Sequence, residues 1–267
     1  MNVLDSFSCK GKVALVTGGA GHQGGFGSQI SEALYEAGAT VYTASRNVEK
    51  LAAFTAQYPG MKFVELDLAD EGSIARCIRQ IISQEGKLDI LVNNAVLRVP
   101  GGAWDNPMDF FDKSMHTNAS GLFLITRLAA ENMMKNRSGS IINIASYMGM
   151  LGLDPANYKN TGMQTDGDHF PSPIYHYEKG GMINFTRWAA SVLGKYNIRV
   201  NSLSPTGFDA SWQDNPSEFT RNHAQATMLG RLCNASDLKG GIVYLASEAS
   251  SFVTGTNLVI DGGYSAK

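Results

Sequence analysis

The sequence predicts an α/β protein of one domain, spanning 1–267: a doubly wound parallel sheet of about seven strands with helices on both faces. Short apolar runs of strand length alternate with helical patterns along the chain, the order that builds a parallel sheet. A glycine-rich run separates the first strand from the first helix. Asn93, Ser146 and Pro205 recur where strands end, the edge at which such sheets bind ligands.

The first strand is 13–17, a continuous apolar run closed by Thr17, the pattern of a strand buried on both faces. The glycine run follows, from Gly18 to Gly27 with His22 and Gln23 inside it. A helix over 28–37 comes next, with Ile30, Ala33, Leu34 and Ala37 at helical spacing and Gly38 as its stop. Strand, glycines and helix together read as a pyrophosphate cradle, because bare backbone N–H groups and the positive end of the helix dipole both favour an anion. The second strand, 40–44, ends in Ser45 and Arg46. An acidic residue at this place would bind the ribose of NAD. A hydroxyl and a guanidinium suit a 2′-phosphate instead, so NADP is expected in preference to NAD.

The third strand, 63–66, ends at Asp67. That carboxylate either accepts from an adenine amino group or caps the helix beginning near Asp70, and the sequence leaves both readings open. Ile74, Cys77, Ile78 and Ile81 give that helix one apolar face. The fourth strand, 89–92, leads into Asn93, Asn94 and Ala95. A long helix is expected over 108–134, with Asn118 inside it, where an asparagine is solvated or bends the helix. The fifth strand, 140–144, ends at Ser146. The sixth, 198–203, ends in Ser204, Pro205, Thr206 and Gly207. Helices over 217–228 and from a Ser236 cap to Leu245 precede the last strand, 257–260.

Between the fifth and sixth strands lies a helix reaching Leu193 that carries Tyr175 and Lys179. Four residues apart, both side chains leave one helix face. An ammonium beside a phenol favours the phenolate, which makes the tyrosine a better proton donor and acceptor. Bringing a phenol from about 10 to near 7 needs roughly 4 kcal/mol. A lone lysine at a wet surface rarely supplies that, and a cationic cofactor in a closed site makes up the rest.

A hydrophobic fraction of 43% with 17% charged residues is that of a soluble globular protein. The net charge of −2 marks neither a nucleic-acid binder nor an anionic-membrane binder. Cys9, Cys77 and Cys233 are odd in number and far apart, which makes no disulfide framework and no metal spacing and fits a cytoplasmic protein. The first residues lack the basic and long apolar regions of a signal peptide, and no apolar run is long enough to cross a bilayer.

Taken together, Thr17 and Gly18 with Gly25, Phe26 and Gly27, then Asn93, Asn94 and Ala95, Asn118, Ser146, Tyr175 with Lys179, the 198–205 run and Asp261 with Gly262 and Gly263 resemble the short-chain dehydrogenase/reductase family over nearly the whole chain. The resemblance implies a single Rossmann-like domain, a small-molecule substrate, and a homotetramer or homodimer built through helix packing. It makes Asn118, Ser146, Tyr175 and Lys179 the catalytic set. Tyr175 would be the general acid/base, and Lys179 would lower its pKa and hold the nicotinamide ribose. Ser146 would steady the substrate oxygen, and Asn118 would hold a water leading to Lys179. Cofactor contacts would come from Gly18, Gly25, Phe26, Gly27, Ser45, Arg46, Asp67, Leu68, Asn94, Ala95, Tyr175, Lys179, Pro205 and Gly207. No metal is expected.

Four departures qualify the resemblance. The glycine loop is longer than usual, Val96 replaces a glycine, and Thr206 separates Pro205 from Gly207. Ser146 and Tyr175 stand 29 positions apart, well beyond the usual gap. The extra residues, 151–173, hold Asp154, Asn157, Tyr158, Lys159, Asp166, Asp168 and His169. Both ends of that segment are catalytic, so it is expected at the mouth of the site, where its polarity suits a sugar or polyol substrate. Similar insertions occur in relatives among bacterial surface-sugar and flagellin-glycan enzymes. The expected activity is hydride transfer between nicotinamide and a secondary alcohol or ketone. The alternatives are an inactive cofactor-binding or regulatory homologue, a 3-oxoacyl-type or other small-ketone reductase, and a related lyase, epimerase or dehydratase.

Overall fold

The computed structural model describes residues 2–20, 25–98, 104, 106–161, 172–208 and 215–267. Seven strands form one sheet: β1 (Val13–Thr17), β2 (Thr40–Ser45), β3 (Lys62–Glu65), β4 (Ile90–Asn93), β5 (Gly139–Ile144), β6 (Ile198–Pro205) and β7 (Asn257–Ile260). Their order is β3-β2-β1-β4-β5-β6-β7, and every neighbouring pair is parallel. The order reverses between β1 and β4, which opens a crevice at their carboxyl ends.

All residues of β1 and β4 are buried, so the sheet needs cover on both faces. Ala14 and Val16 point into one core with Ile30 and Leu34 of α1 (Phe26–Glu36) and with Ile242 and Leu245 of α8 (Lys239–Ala246). Val13 and Leu15 point into the other, with α3 (Glu71–Glu85), α5 (Leu122–Asn136) and α6 (Ile174–Leu193). The remaining helices are α2 (Val48–Thr55), α4 (Met108–Met115) and α7 (Glu218–Ala226).

The long helix expected over 108–134 is three pieces. A π-helical segment, His116–Gly121, interrupts it between α4 and α5, and Asn118 is buried inside that bulge. Bulges of this kind re-aim side chains, and a close contact helps to hold this one. A Cβ on Gly121 would meet the Leu68 carbonyl oxygen at 2.2 Å. The cap expected at Ser236 is instead built by its neighbours, with the Asp237 carboxylate accepting from the Asn234 N–H at 2.8 Å. Asp70, not Asp67, caps α3, through a 2.8 Å bond from the Gly72 N–H. Asp67 closes a shorter turn, accepting from the Ala69 N–H at 2.9 Å.

Candidate active site

The crevice begins at Gly18, whose φ of +67° puts its backbone in the left-handed region that glycine tolerates. Its N–H donates to Ala44 O at 2.6 Å, which ties the loop to the end of β2. Gly27 lies so close that a Cβ there would sit 2.0 Å from Gly18 O. Thr17 Oγ1 accepts from the N–H groups of Asn94 and Ala95, both at 3.0 Å. Asn94 Nδ2 donates back to Thr17 O at 3.0 Å. These bonds lock the ends of β1 and β4 side by side. Gly25 caps α1 without a side-chain hydrogen bond, leaving N–H groups for a phosphate. Half-buried Ser45 and exposed Arg46 follow the Ala44 carbonyl that holds Gly18, and Leu66 just past β3 donates to Ser45 O. A backbone cradle with a hydroxyl and a guanidinium just beyond it fits a nicotinamide dinucleotide. His22 and Gln23 lie outside the described residues.

Asn118 grips the chain just beyond this crevice. Its Oδ1 accepts from Leu97 N–H at 2.7 Å and its Nδ2 donates to Leu97 O at 2.8 Å. The same amide donates to Glu178 Oε2 at 3.0 Å, and Ser114 Oγ donates to Glu178 Oε1 at 2.6 Å. Glu178 is buried on α6, and burial pushes its carboxyl up from the ordinary range, opposed by Ser114 and Asn118. Ile174, Glu178, Met182, Thr186 and Ala190 are all buried at four-residue spacing, so this carboxylate occupies a core stripe.

Lys179 is 4% exposed. Its Nζ donates to Ile144 O, the last residue of β5, at 2.7 Å, and stands 5.6 Å from the Tyr175 ring centre. Burial pulls its ammonium down to about 8, opposed by Glu178. Ser146 follows β5 by two residues, is buried, and stands near enough to the Tyr175 phenol to pull its pKa down against burial. The turn between them packs tightly on α6, where a Cβ on Gly149 would meet the Lys179 carbonyl carbon at 2.6 Å. Under it, Asn93 Nδ2 donates to Asn143 Oδ1 at 2.8 Å and Asn143 Nδ2 to Thr186 Oγ1 at 2.9 Å. That chain of amides holds β4, β5 and α6 in register.

The expected acidification of Tyr175 by Lys179 is not what the fold by itself produces. Burial pushes the phenol up, and the groups that pull it back are Arg98 and Ser146. Lys179 is turned to a backbone carbonyl and has lost part of its own preference for the charged form. Arg98 was absent from the sequence-based set. Its guanidinium carbon lies 5.7 Å from the Tyr175 ring centre.

The far wall comes from three elements. Residues 155–158 form a short 3₁₀ turn beside α7, with Asn222 Nδ2 donating to Lys159 O at 2.8 Å. Tyr264, near the C-terminus, donates to Asp154 Oδ2 at 2.9 Å and accepts from Asn157 Nδ2 at 2.8 Å. His223 of α7 is 1% exposed, edge-on to Tyr147 with ring centres 5.2 Å apart. A Cβ on Gly207, just past β6, would touch its ring at 3.4 Å. Among the described residues, neither His223 nitrogen nor Asn157 Oδ1 has a hydrogen-bond partner. Asp166, Asp168 and His169 lie outside the described residues. Glu178 had a readable signal, a carboxylate on the apolar stripe of α6. Arg98 had none, because it sits on a loop.

The family described as enoyl-(acyl carrier protein) reductase matches residues 19–265. An NADP-dependent mannitol dehydrogenase of Hypocrea jecorina is 32% identical over 99% of this chain and 96% of its own. A solved short-chain type dehydrogenase/reductase from Mycobacterium marinum is 30% identical, with a TM-score of 0.84 and full coverage of both chains. A gluconate 5-dehydrogenase from Burkholderia cenocepacia, solved with NADP and tartrate, is 27% identical with a TM-score of 0.86, again over both full chains. With the crevice, the Tyr175–Ser146 contact and these likenesses in hand, the chain belongs to the short-chain dehydrogenase/reductase family, oxidoreductases that work on CH–OH and C=O groups with a nicotinamide cofactor.

Proposed function

We propose that this protein is an NADP-preferring dehydrogenase of secondary alcohols, or reductase of the matching ketones, with a sugar-like or polyol substrate. The observation that carries the reading is the Lys179 ammonium, 5.6 Å from the Tyr175 ring centre and bonded to Ile144 O at the end of β5, with buried Ser146 two residues beyond, at the sheet edge that holds the Gly18 crevice. When bound there, the nicotinamide supplies the exchange of hydride with the substrate carbon. Tyr175 takes the proton of the carbinol oxygen in one direction and returns it in the other. Ser146 donates to the same oxygen and steadies its negative charge. Lys179, fixed on Ile144 O, keeps a cation beside the phenol and holds the ribose hydroxyls. Asn118 fixes the Leu97 backbone and the bulge around itself.

The NADP-dependent mannitol dehydrogenase and the NADP complex of the gluconate 5-dehydrogenase support the cofactor and the substrate class. Three free buried cysteines support a reducing, cytoplasmic setting. Exposed Phe123, Trp188 and Val192 on α5 and α6 support a dimer or tetramer.

The test follows the absorbance of reduced nicotinamide with an accepted alcohol. Tyr175→Phe keeps the ring and removes the proton carrier, so turnover is expected to fall about 100-fold or more. Near-wild-type turnover would remove the assigned role.

A further inference from the structure

Arg98 is set in place by the catalytic machinery itself. The residue before it, Leu97, has both backbone polar groups held by Asn118, at 2.7 and 2.8 Å. The chain therefore leaves that clamp in a fixed direction. It delivers the Arg98 guanidinium to the Tyr175 ring, 5.7 Å from its centre, where its charge helps to pull the phenol's pKa down. Arg98 is exposed, and among the described residues it forms no ion pair. A guanidinium has five N–H donors in a planar fork that matches a carboxylate.

The charge around it is one-sided. Lys179 is the second cation beside Tyr175, and Arg98 is close enough to help pull its ammonium down. The nearby carboxylate, Glu178, is turned the other way, with its two oxygens held by Ser114 and Asn118. An exposed arginine this close to an acid/base phenol, with no ion pair among the described residues, suits an anion brought in from solution.

We propose that Arg98 recognises a carboxylate on the substrate, so that this enzyme acts on a hydroxy acid or the matching keto acid. The carboxylate lies in the Arg98 fork while the reacting oxygen lies between Ser146 and Tyr175. Arg98 shifts from the phenol to the carboxylate as substrate enters, so one residue reads the acid and frees the proton carrier. This rests on the oxidoreductase reading above and narrows it from polyols in general to their acids.

The experiment compares aldonates with the matching alditols, D-gluconate against D-glucitol first, in the full-length protein with NADP. The readout is the ratio of kcat/KM for acid over alditol, because Arg98 also touches Tyr175 and its loss lowers both. In Arg98→Gln the ratio is expected to fall about tenfold to 100-fold, mostly through KM for the acid, the loss of one charge-assisted pair. Arg98→Lys, which keeps the charge without the fork, should recover part of it. An unchanged ratio, or a wild type that prefers the alditols, overturns the proposal. Calorimetric binding of D-gluconate to the NADP-loaded protein separates this from the reaction itself. Binding that weakens in Arg98→Gln upholds the anion site even if no alcohol is turned over. Binding absent from the wild type, or indifferent to the substitution, overturns it while leaving the oxidoreductase reading to the Tyr175 test.

Discussion

Asn118 and Glu178 are joined by a 3.0 Å hydrogen bond from the amide Nδ2 to the carboxylate Oε2. The bond spans from the π-helical segment to α6, so it fixes the distance between the residue that clamps Leu97 and the helix that carries Tyr175 and Lys179. Ser114 completes the carboxylate from the other side at 2.6 Å.

Glu178→Ala leaves the Ser114 hydroxyl and one Asn118 amide hydrogen short of an acceptor in a buried place. The expected cost is about 1–3 kcal/mol of stability, read as a lowered thermal midpoint. The pH signature is specific. Burial raises the folded carboxyl above its unfolded value, so its contribution is greatest in acid and falls as pH rises through the raised value. Glu178→Gln removes that dependence. The variant should therefore gain on the wild type between mildly acidic and neutral pH, and a constant difference across that range would count against it.

His223 gives a dependence of the opposite sign. Burial, opposed by Asp154, pulls its imidazole from 6.5 down to about 4. The folded state keeps the ring neutral while the unfolded chain protonates near pH 6.5. Stability is thus present above 6.5 and is lost as pH falls toward 4, by about 3 kcal/mol in all. Denaturant unfolding of wild type and His223→Phe over that window checks it. The phenylalanine suits the surrounding rings of Tyr147, Phe219 and Tyr264 and should flatten the slope.

Arg46 is exposed at the end of β2, beside Gly18. A guanidinium there pairs with a 2′-phosphate and has nothing comparable to grip on a 2′-hydroxyl. Wild-type protein is expected to bind NADPH about tenfold or more tighter than NADH. The gap should shrink in Arg46→Ala, measured by fluorescence titration of the reduced cofactors. Equal wild-type affinities refute the preference.

Much of this protein is written locally. The strand run 13–17 is legible because a doubly covered strand is apolar nearly throughout, and the spacing of Ile74, Cys77, Ile78 and Ile81 is legible because a helix buries one stripe. The alternation of the two dictates the parallel sheet, and the order of Gly18, Asn118, Ser146, Tyr175 and Lys179 places the chemistry at one edge. What local pattern could not carry is anything decided by contacts distant in the chain. The π bulge around Asn118 is selected by the close packing of its Gly121 against Leu68, 53 positions before that glycine. The cap at Asn234 depends on which carboxylate reaches its N–H. The Tyr175 phenol is pushed up by burial and pulled back by a loop arginine 77 positions away, a residue that no local pattern marks. A pKa is the sum of desolvation and every charge nearby, and only the folded chain determines which charges those are.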